Sequence, residues 1–249
     1  MKKYVGEKDP RISIVNKRLS TVNRIFIVMS PKGGVGKTVF STIFSLLLAE
    51  HGFKTGLLDL DFTNPSTHIV LGINPINYKP VEEKGLIPPN IYNLEYFTIA
   101  IYTGDKPLPL RGESVNNIFL ELLTIVKWSN LDYLVIDTPP SIRDEHLDLL
   151  TFIGDKSELI LITTPNPIAI SSISRLINLL KESSCKIKGL VENMSSGEYL
   201  KQYCIENGIE YLGSIPYDQF FDSKIGDVEK LRQSIIWNSI DEIVKKVTS

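Results

Sequence analysis

Ile25-Phe26-Ile27-Val28-Met29-Ser30-Pro31-Lys32-Gly33-Gly34-Val35-Gly36-Lys37-Thr38 is the stretch whose reading decides the fold. Ile25 to Met29 are apolar, mostly β-branched or bulky, and bounded by turn formers, the mark of a strand buried on both faces. Gly33, Gly34 and Gly36 follow, then Lys37 and Thr38, then an apolar-periodic run from Val39 to Ala49. Strand, glycine-rich loop and helix in that order are the context a phosphate-binding loop requires.

The residue types supply the chemistry. Glycines let successive backbone N–H groups turn inward and lie close to phosphate oxygens. The start of the next helix adds further N–H groups and a partial positive charge. Lys32, Gly33, Gly34, Val35, Gly36, Lys37, Thr38 and Val39 are therefore the expected phosphate cradle. Lys37 brings a full charge to the β- and γ-phosphates, and the Thr38 hydroxyl is suited to Mg²⁺.

Outward from this loop, apolar strands alternate with helical patterns. Strands are expected from Thr55 into the acidic pair Asp59 and Asp61, and over Tyr133–Asp137, Glu158–Thr163, Ile187–Asn193 and Ile209–Ile215. Helices are expected over Val115–Trp128, after Pro140 through Leu150, over Ile168–Ser183 and Glu198–Asn207, and at the C-terminus. Strands continuous in Val, Ile and Leu predict a doubly wound α/β fold, its mostly parallel sheet covered by helices on both faces. One domain over 1–249 is expected, with a basic N-terminal arm at 1–23 holding a short helix around Ile12–Leu19, and a proline-rich surface excursion at 62–110 holding a strand or hairpin near Asn93–Ile101.

Composition narrows the function classes. A net charge of −2 gives no global pull toward nucleic acid or anionic membrane. Cys185 and Cys204 form no disulfide framework, which fits a reducing compartment. With no apolar run near the ~20 residues of a membrane span and no secretory leader pattern, the expectation is a cytoplasmic protein. His51, His68 and His146 match no metal spacing.

Ligands of open α/β sheets sit at the C-terminal edge of the strands, so strand-ending polar residues are the next candidates. Asp137 closes an apolar strand and is the expected Mg²⁺ partner of Thr38; the competing reading is a carboxylate that caps the next turn. Asp59 and Asp61 close another, with Asp61 the candidate for orienting the attacking water and Asp59 a switch or metal-site residue; solvated loop carboxylates are the alternative. Asn193 offers an amide that matches adenine's donor–acceptor edge, and Pro216 could lie against the base.

The loop has Pro31 where G-x-x-x-x-G-K-[ST] wants glycine, and it carries a second lysine, Lys32. It resembles the deviant Walker A motif of the MinD, ParA, nitrogenase iron protein and Mrp/NBP35 ATPases. In that group the extra lysine crosses a nucleotide-sandwich homodimer to the partner's phosphates, which implies that role for Lys32. Gly189-Leu190-Val191-Glu192-Asn193-Met194-Ser195 is similar to the G-[LV]-V-E-N-M-S stretch of Mrp/NBP35 (ApbC) proteins. Asp132 to Pro140, with Asp144-Glu145-His146 after it, resembles their D-Y-L-[IV]-I-D-x-P-P-G-T-G-D-E. Asp59 to Ser66, Arg111-Gly112 and Ile215 to Asp218 extend the likeness over nearly the whole chain from Arg11 onward. The resemblance implies ATP and Mg²⁺ as ligands, Lys32, Lys37 and Asp61 as catalytic residues, Thr38, Asp59 and Asp137 at the metal, and Asn193 with Pro216 at the base.

The chain departs from that family in three places. Ser195-Ser196-Gly197-Glu198-Tyr199 stands where the family's cluster-binding C-x-x-C follows N-M-S. One cysteine per subunit downstream gives two thiolates in a dimer, short of the four a cubane takes, so an iron–sulfur cluster is not expected. Ser141-Ile142-Arg143 replaces G-T-G, and Pro31 replaces glycine. The expected function is a slow, partner-stimulated ATPase whose nucleotide-dependent homodimer acts as carrier or scaffold for a protein client. The alternative is a MinD/ParA-like positioning ATPase binding membrane or DNA. The amphipathic run Ile235 to Val247 would be its tail, but the favoured reading of that run is a helix packing its apolar stripe on the sheet.

Overall fold

The computed structural model describes residues 9–104, 113–140, 150, 152–183 and 185–249. Its strands are β1 (Val22–Met29), β2 (Thr55–Asp59), β3 (Val81–Glu82), β4 (Leu86–Ile87), β5 (Asn90–Ile91), β6 (Leu94–Thr98), β7 (Leu131–Asp137), β8 (Ser157–Thr163), β9 (Ile187–Asn193) and β10 (Tyr211–Ile215). Eight of them form one sheet in the order β10-β9-β8-β1-β7-β2-β6-β5, and β3 pairs with β4 apart from it. Every pairing in the large sheet is parallel except that of β5 with β6.

Period-two alternation sends each strand's side chains into two apolar layers. Ile25, Ile27 and Met29 face one, with Leu134, Ile136, Leu159 and Leu161. Phe26 and Val28 face the other, with Leu57, Val135, Ile160 and Ile162. The first layer is closed by α1 (Pro10–Leu19), α5 (Glu113–Ile125), α6 (Pro167–Glu182) and α7 (Lys201–Glu206). The second is closed by α2 (Lys37–Glu50) and α9 (Ile235–Thr248), with α3 (Thr67–Leu71) and α8 (Val228–Arg232) beside them. The short α4 (Ala100–Thr103) follows β6.

The structure refines the expected element placement. The short helix expected near Ile12–Leu19 is α1, which buries Val15 and Leu19, and β1 starts inside the expected arm, at Val22. The 62–110 segment is not all surface, because β6 enters the sheet beside β2 with Tyr96 and Phe97 fully buried. The turn from β5 to β6 is carried by Tyr92 and Asn93, both at positive φ (52° and 64°), a geometry that two-residue hairpins select. The C-terminal run packs its apolar stripe on the second layer, as the favoured reading of it expects, burying Ile236, Trp237, Ile240, Ile243, Val244 and Val247. No described helix is long and apolar enough to cross a membrane. The helix expected after Pro140, together with Arg111-Gly112, Ser141-Ile142-Arg143 and Asp144-Glu145-His146, lies outside the described residues, apart from its end at Leu150.

Candidate functional site

β1 lies at the middle of the sheet and delivers its C-terminal end straight into the Ser30–Gly36 loop. Gly34 and Gly36 hold φ of 77° and 82°, which a side chain would strain. Gly36 caps α2 without any side-chain bond of its own. A Cβ there would also lie 2.3 Å from the Asn193 amide nitrogen, so close approach and backbone angle both select glycine.

The first turns of α2 aim three side chains at one carboxylate. Lys37 Nζ is 2.7 Å from Asp137 Oδ1, Thr38 Oγ1 donates to Oδ2 at 2.8 Å, and Ser41 Oγ donates to Oδ1 at 2.8 Å. Lys37 is 6% exposed and Asp137 fully buried. An ammonium and a carboxylate are stable together at that depth because each compensates the other and hydroxyls fill the remaining lone pairs. The oxygen set from Thr38 and Asp137 fits a hard divalent cation such as Mg²⁺.

Asp59 stands next to Asp137 in register across β2 and β7, also fully buried. Burial first, and then the negative charge of Asp137, pushes its carboxyl up to about 7, although bonds from Thr67 and Asp61 favour ionisation. Oδ1 accepts from Asp61 N–H at 2.9 Å, and Oδ2 from Ser66 N–H, Thr67 N–H and the Thr67 hydroxyl at 3.2, 3.2 and 2.7 Å. Both oxygens of Asp59, an expected metal residue, are thus engaged by the loop that carries Asp61. Asp61 Oδ1 in turn accepts from the Thr63 hydroxyl and Asn64 N–H.

Asn193 ends β9 beside the loop. Its Nδ2 donates to the Val35 carbonyl at 2.6 Å and its Oδ1 accepts from Met194 N–H at 2.9 Å, leaving one N–H and one lone pair for another partner. With Gly36, Val39, Phe40, Pro216 and Phe221 it lines a cavity of about 110 Å³ on the second layer's side of the loop. Lys32 is half-buried and belongs to a different, larger space of about 480 Å³, shared with Gly33, Gly34, Asn166 and Met194. The geometry therefore brings Lys37, Thr38 and Asp137 into direct contact, sets Asp59 and Asp61 alongside, and puts Lys32 and Asn193 on two distinct flanks.

Two residues in this arrangement escaped the sequence reading. Ser41 sits one helical turn beyond Lys37, and that spacing on α2 was its only signal. Glu192 is fully buried and accepts from the Ser195 hydroxyl, Tyr199 N–H, Leu200 N–H and the Tyr211 hydroxyl, which fixes the end of β9. A charged residue near the end of an apolar strand was the clue. The sulfurs are placed differently. Cys204 is fully buried in the first layer, with its thiol pushed up to about 11 by burial, and Cys185 is half-buried with its thiol also raised. Among the described residues, no group of three His, Cys, Asp or Glu side chains could hold a metal ion.

A family model described as the NUBPL iron-transfer P-loop NTPase matches residues 21–248. A Drosophila yakuba protein named cytosolic Fe-S cluster assembly factor Nubp2 homolog 2 is 37% identical over 186 residues, 71% of this chain and 70% of that one. The Nubp2 homolog of Drosophila virilis is 30% identical over 254 residues, covering 92% and 94%. Among solved structures, a nucleotide-binding protein from Archaeoglobus fulgidus in complex with ADP superposes with a TM-score of 0.75 at 23% identity, covering 91% of this chain and 95% of that one. The septum site-determining protein MinD from Pyrococcus horikoshii, complexed with Mg-ADP, gives 0.67 at 20% identity, covering 90% and 95%. These two likenesses are of fold.

Proposed function

Because the chain belongs to the family of NUBPL iron-transfer P-loop NTPases, we propose that it is a Mg-ATP-binding ATPase whose nucleotide-dependent homodimer serves as a carrier or scaffold for a protein client. The observation that carries this reading is the convergence of Lys37, Thr38 and Ser41 on the buried carboxylate of Asp137 at the mouth of a glycine loop. Phosphate oxygens compete with Asp137 for Lys37, while Thr38 and Asp137 hold Mg²⁺. The ion, when bound, offsets phosphate charge. The loop amides of Gly33 to Lys37 orient the phosphates, and Asp61 orients the attacking water. Asn193 and Pro216 meet the adenine, and Lys32 serves the partner's phosphates across the dimer. Turnover is slow until a partner or dimer closure completes the site. One nucleotide-binding unit spans the chain, and it works in the cytoplasm, as the names of its relatives suggest for them.

The relatives' names attach them to Fe-S cluster assembly. In this chain the burial of Cys204 and the raised thiols of both cysteines argue against a cluster shared between two copies, so the role is that of a nucleotide-gated partner and not of a cluster ligand. Titration calorimetry with Mg-ATP and single-turnover phosphate release test the reading. Wild type should bind and hydrolyse ATP, and Lys37→Ala should lose at least ~100-fold in turnover. Well-folded wild type that takes up no nucleotide would overturn it, and a stoichiometric cubane after anaerobic reconstitution would overturn the cluster statement.

A further inference from the structure

The buried hydroxyl of Tyr96 lies within hydrogen-bonding distance of Thr67 Oγ1, at 2.7 Å, and Thr67 Oγ1 lies 2.7 Å from Asp59 Oδ2. None of the three side chains is among those that converge on Asp137 or line either cavity at the phosphate loop. The order of donation follows from a proton inventory. When Asp59 is ionised it only accepts, so in that form the single proton of the Thr67 hydroxyl goes to Asp59. Tyr96 must then donate to Thr67. Asp59 carries the chain onward, since its other oxygen holds the backbone N–H of Asp61.

The donors on Asp59 come from the two ends of one loop: Asp61 at its start, Ser66 and Thr67 at its finish. One buried carboxylate thus closes the loop like a clasp, and its shortest bond, at 2.7 Å, is the one Tyr96 supports from behind. Tyr96 itself is held in β6, paired with Leu57 of β2, fully buried. We propose that Tyr96 and Thr67 are positioning residues for ATP hydrolysis, fixing the Asp61 loop through Asp59 without touching nucleotide. This rests on the nucleotide reading above for its catalytic consequence, but not for its structural one.

Tyr96→Phe removes one hydroxyl and keeps the ring; Thr67→Val removes the link and keeps the shape; Thr67→Ser keeps the hydroxyl. Tyr96→Phe should lower kcat by about 3- to 10-fold with KM for ATP unchanged, and Thr67→Val should do so by on the order of tenfold or more. Thr67→Ser should restore most of the rate. Tyr96→Phe combined with Thr67→Val should be no worse than Thr67→Val alone, as expected of residues acting in one chain. Hydrogen exchange supplies a readout independent of turnover. Amides of Asp61, Ser66 and Thr67 should exchange at least ~10-fold faster in Thr67→Val, while those of β1 and β7 stay at the wild-type rate. Unchanged exchange in this loop, a uniform rise across the sheet, or a Thr67→Ser variant as slow as Thr67→Val overturns the proposal. Wild type that hydrolyses no ATP while its loop responds as stated instead overturns the nucleotide reading and leaves the clasp standing.

Discussion

Replacing Asp137 by Asn keeps the shape of the side chain and removes its charge, and the consequence can be worked from its partners. Asp137 accepts from Lys37 and Ser41 on one oxygen and from Thr38 on the other, all at 2.7–2.8 Å. An asparagine has only one acceptor oxygen, so its NH₂ must face at least one of these donors. The larger effect is on Lys37, whose ammonium is 6% exposed and loses its counter-charge. Stranding one member of a buried pair typically costs about 3–5 kcal/mol. Part of that is offset because Asp59, in register beside it, no longer faces a second negative charge. A net loss of about 2–4 kcal/mol should lower the melting temperature of the nucleotide-free protein by on the order of 4–16 °C. Lys37→Met in the same background removes the stranded charge, so Lys37→Met/Asp137→Asn should be more stable than the sum of the single variants by about 1–3 kcal/mol. Urea unfolding of the four proteins measures this. An Asp137→Asn variant within about 0.5 kcal/mol of wild type, or a strictly additive cycle, would refute the argument that the pair is held by mutual compensation.

Gly36→Ala and Gly34→Ala should separate two effects that glycine serves here. Both positions have positive φ, at a cost of about 1–2 kcal/mol for alanine, but only at Gly36 would the new Cβ collide, 2.3 Å from Asn193 Nδ2. Gly36→Ala should therefore break the Asn193 bond to Val35 and lose at least ~10-fold more affinity for ATP than Gly34→Ala, as read by calorimetry. The pH dependence of stability should carry the signature of Asp59. Its carboxyl is raised from 3.8 to about 7, so the folded state binds a proton that the unfolded chain releases, and the contribution is lost as pH rises through 7. The nucleotide-free protein should gain on the order of 1.5 kcal/mol between pH 7 and pH 5.5 relative to Asp59→Asn, measured by urea unfolding at each pH.

What could be read from the sequence was whatever lies contiguous along the chain. Ile25–Met29 and Tyr133–Asp137 are unbroken apolar runs because parallel strands covered on both faces have no polar side; the first runs straight into the glycine loop and the second ends in Asp137. β6 was harder. Leu94–Thr98 has only five residues and follows a proline-rich stretch, so its place inside the sheet depends on pairing with β2, more than thirty residues earlier. Ser41 and Thr67 were not legible for a different reason. A hydroxyl in or at the start of a helix reads as a back-bonding or capping group, and only packing reveals that these two point at buried carboxylates. Asn193 was found by its place at a strand end, but its contact with the Val35 carbonyl needed the fold.

On the proposed reading, that contact links the phosphate loop to the base. Nδ2 of Asn193 holds the phosphate loop at Val35, while its remaining N–H and lone pair are free to meet a base in the adjoining cavity. One amide therefore spans the loop and the cavity, and Gly36 is the residue that lets it come so near. The amide is held in turn by what precedes it: Glu192, buried and bonded to four donors from the 195–200 turn and from Tyr211, fixes the end of β9. Met194, at φ 54°, then bends the chain so that its own N–H closes on the Asn193 oxygen. On the proposed nucleotide reading, a base entering the cavity would meet an amide that is already oriented and already attached to the glycine loop. Entropy that would otherwise be lost in arranging these groups is spent when the chain folds, which is the physical content of preorganisation at this site.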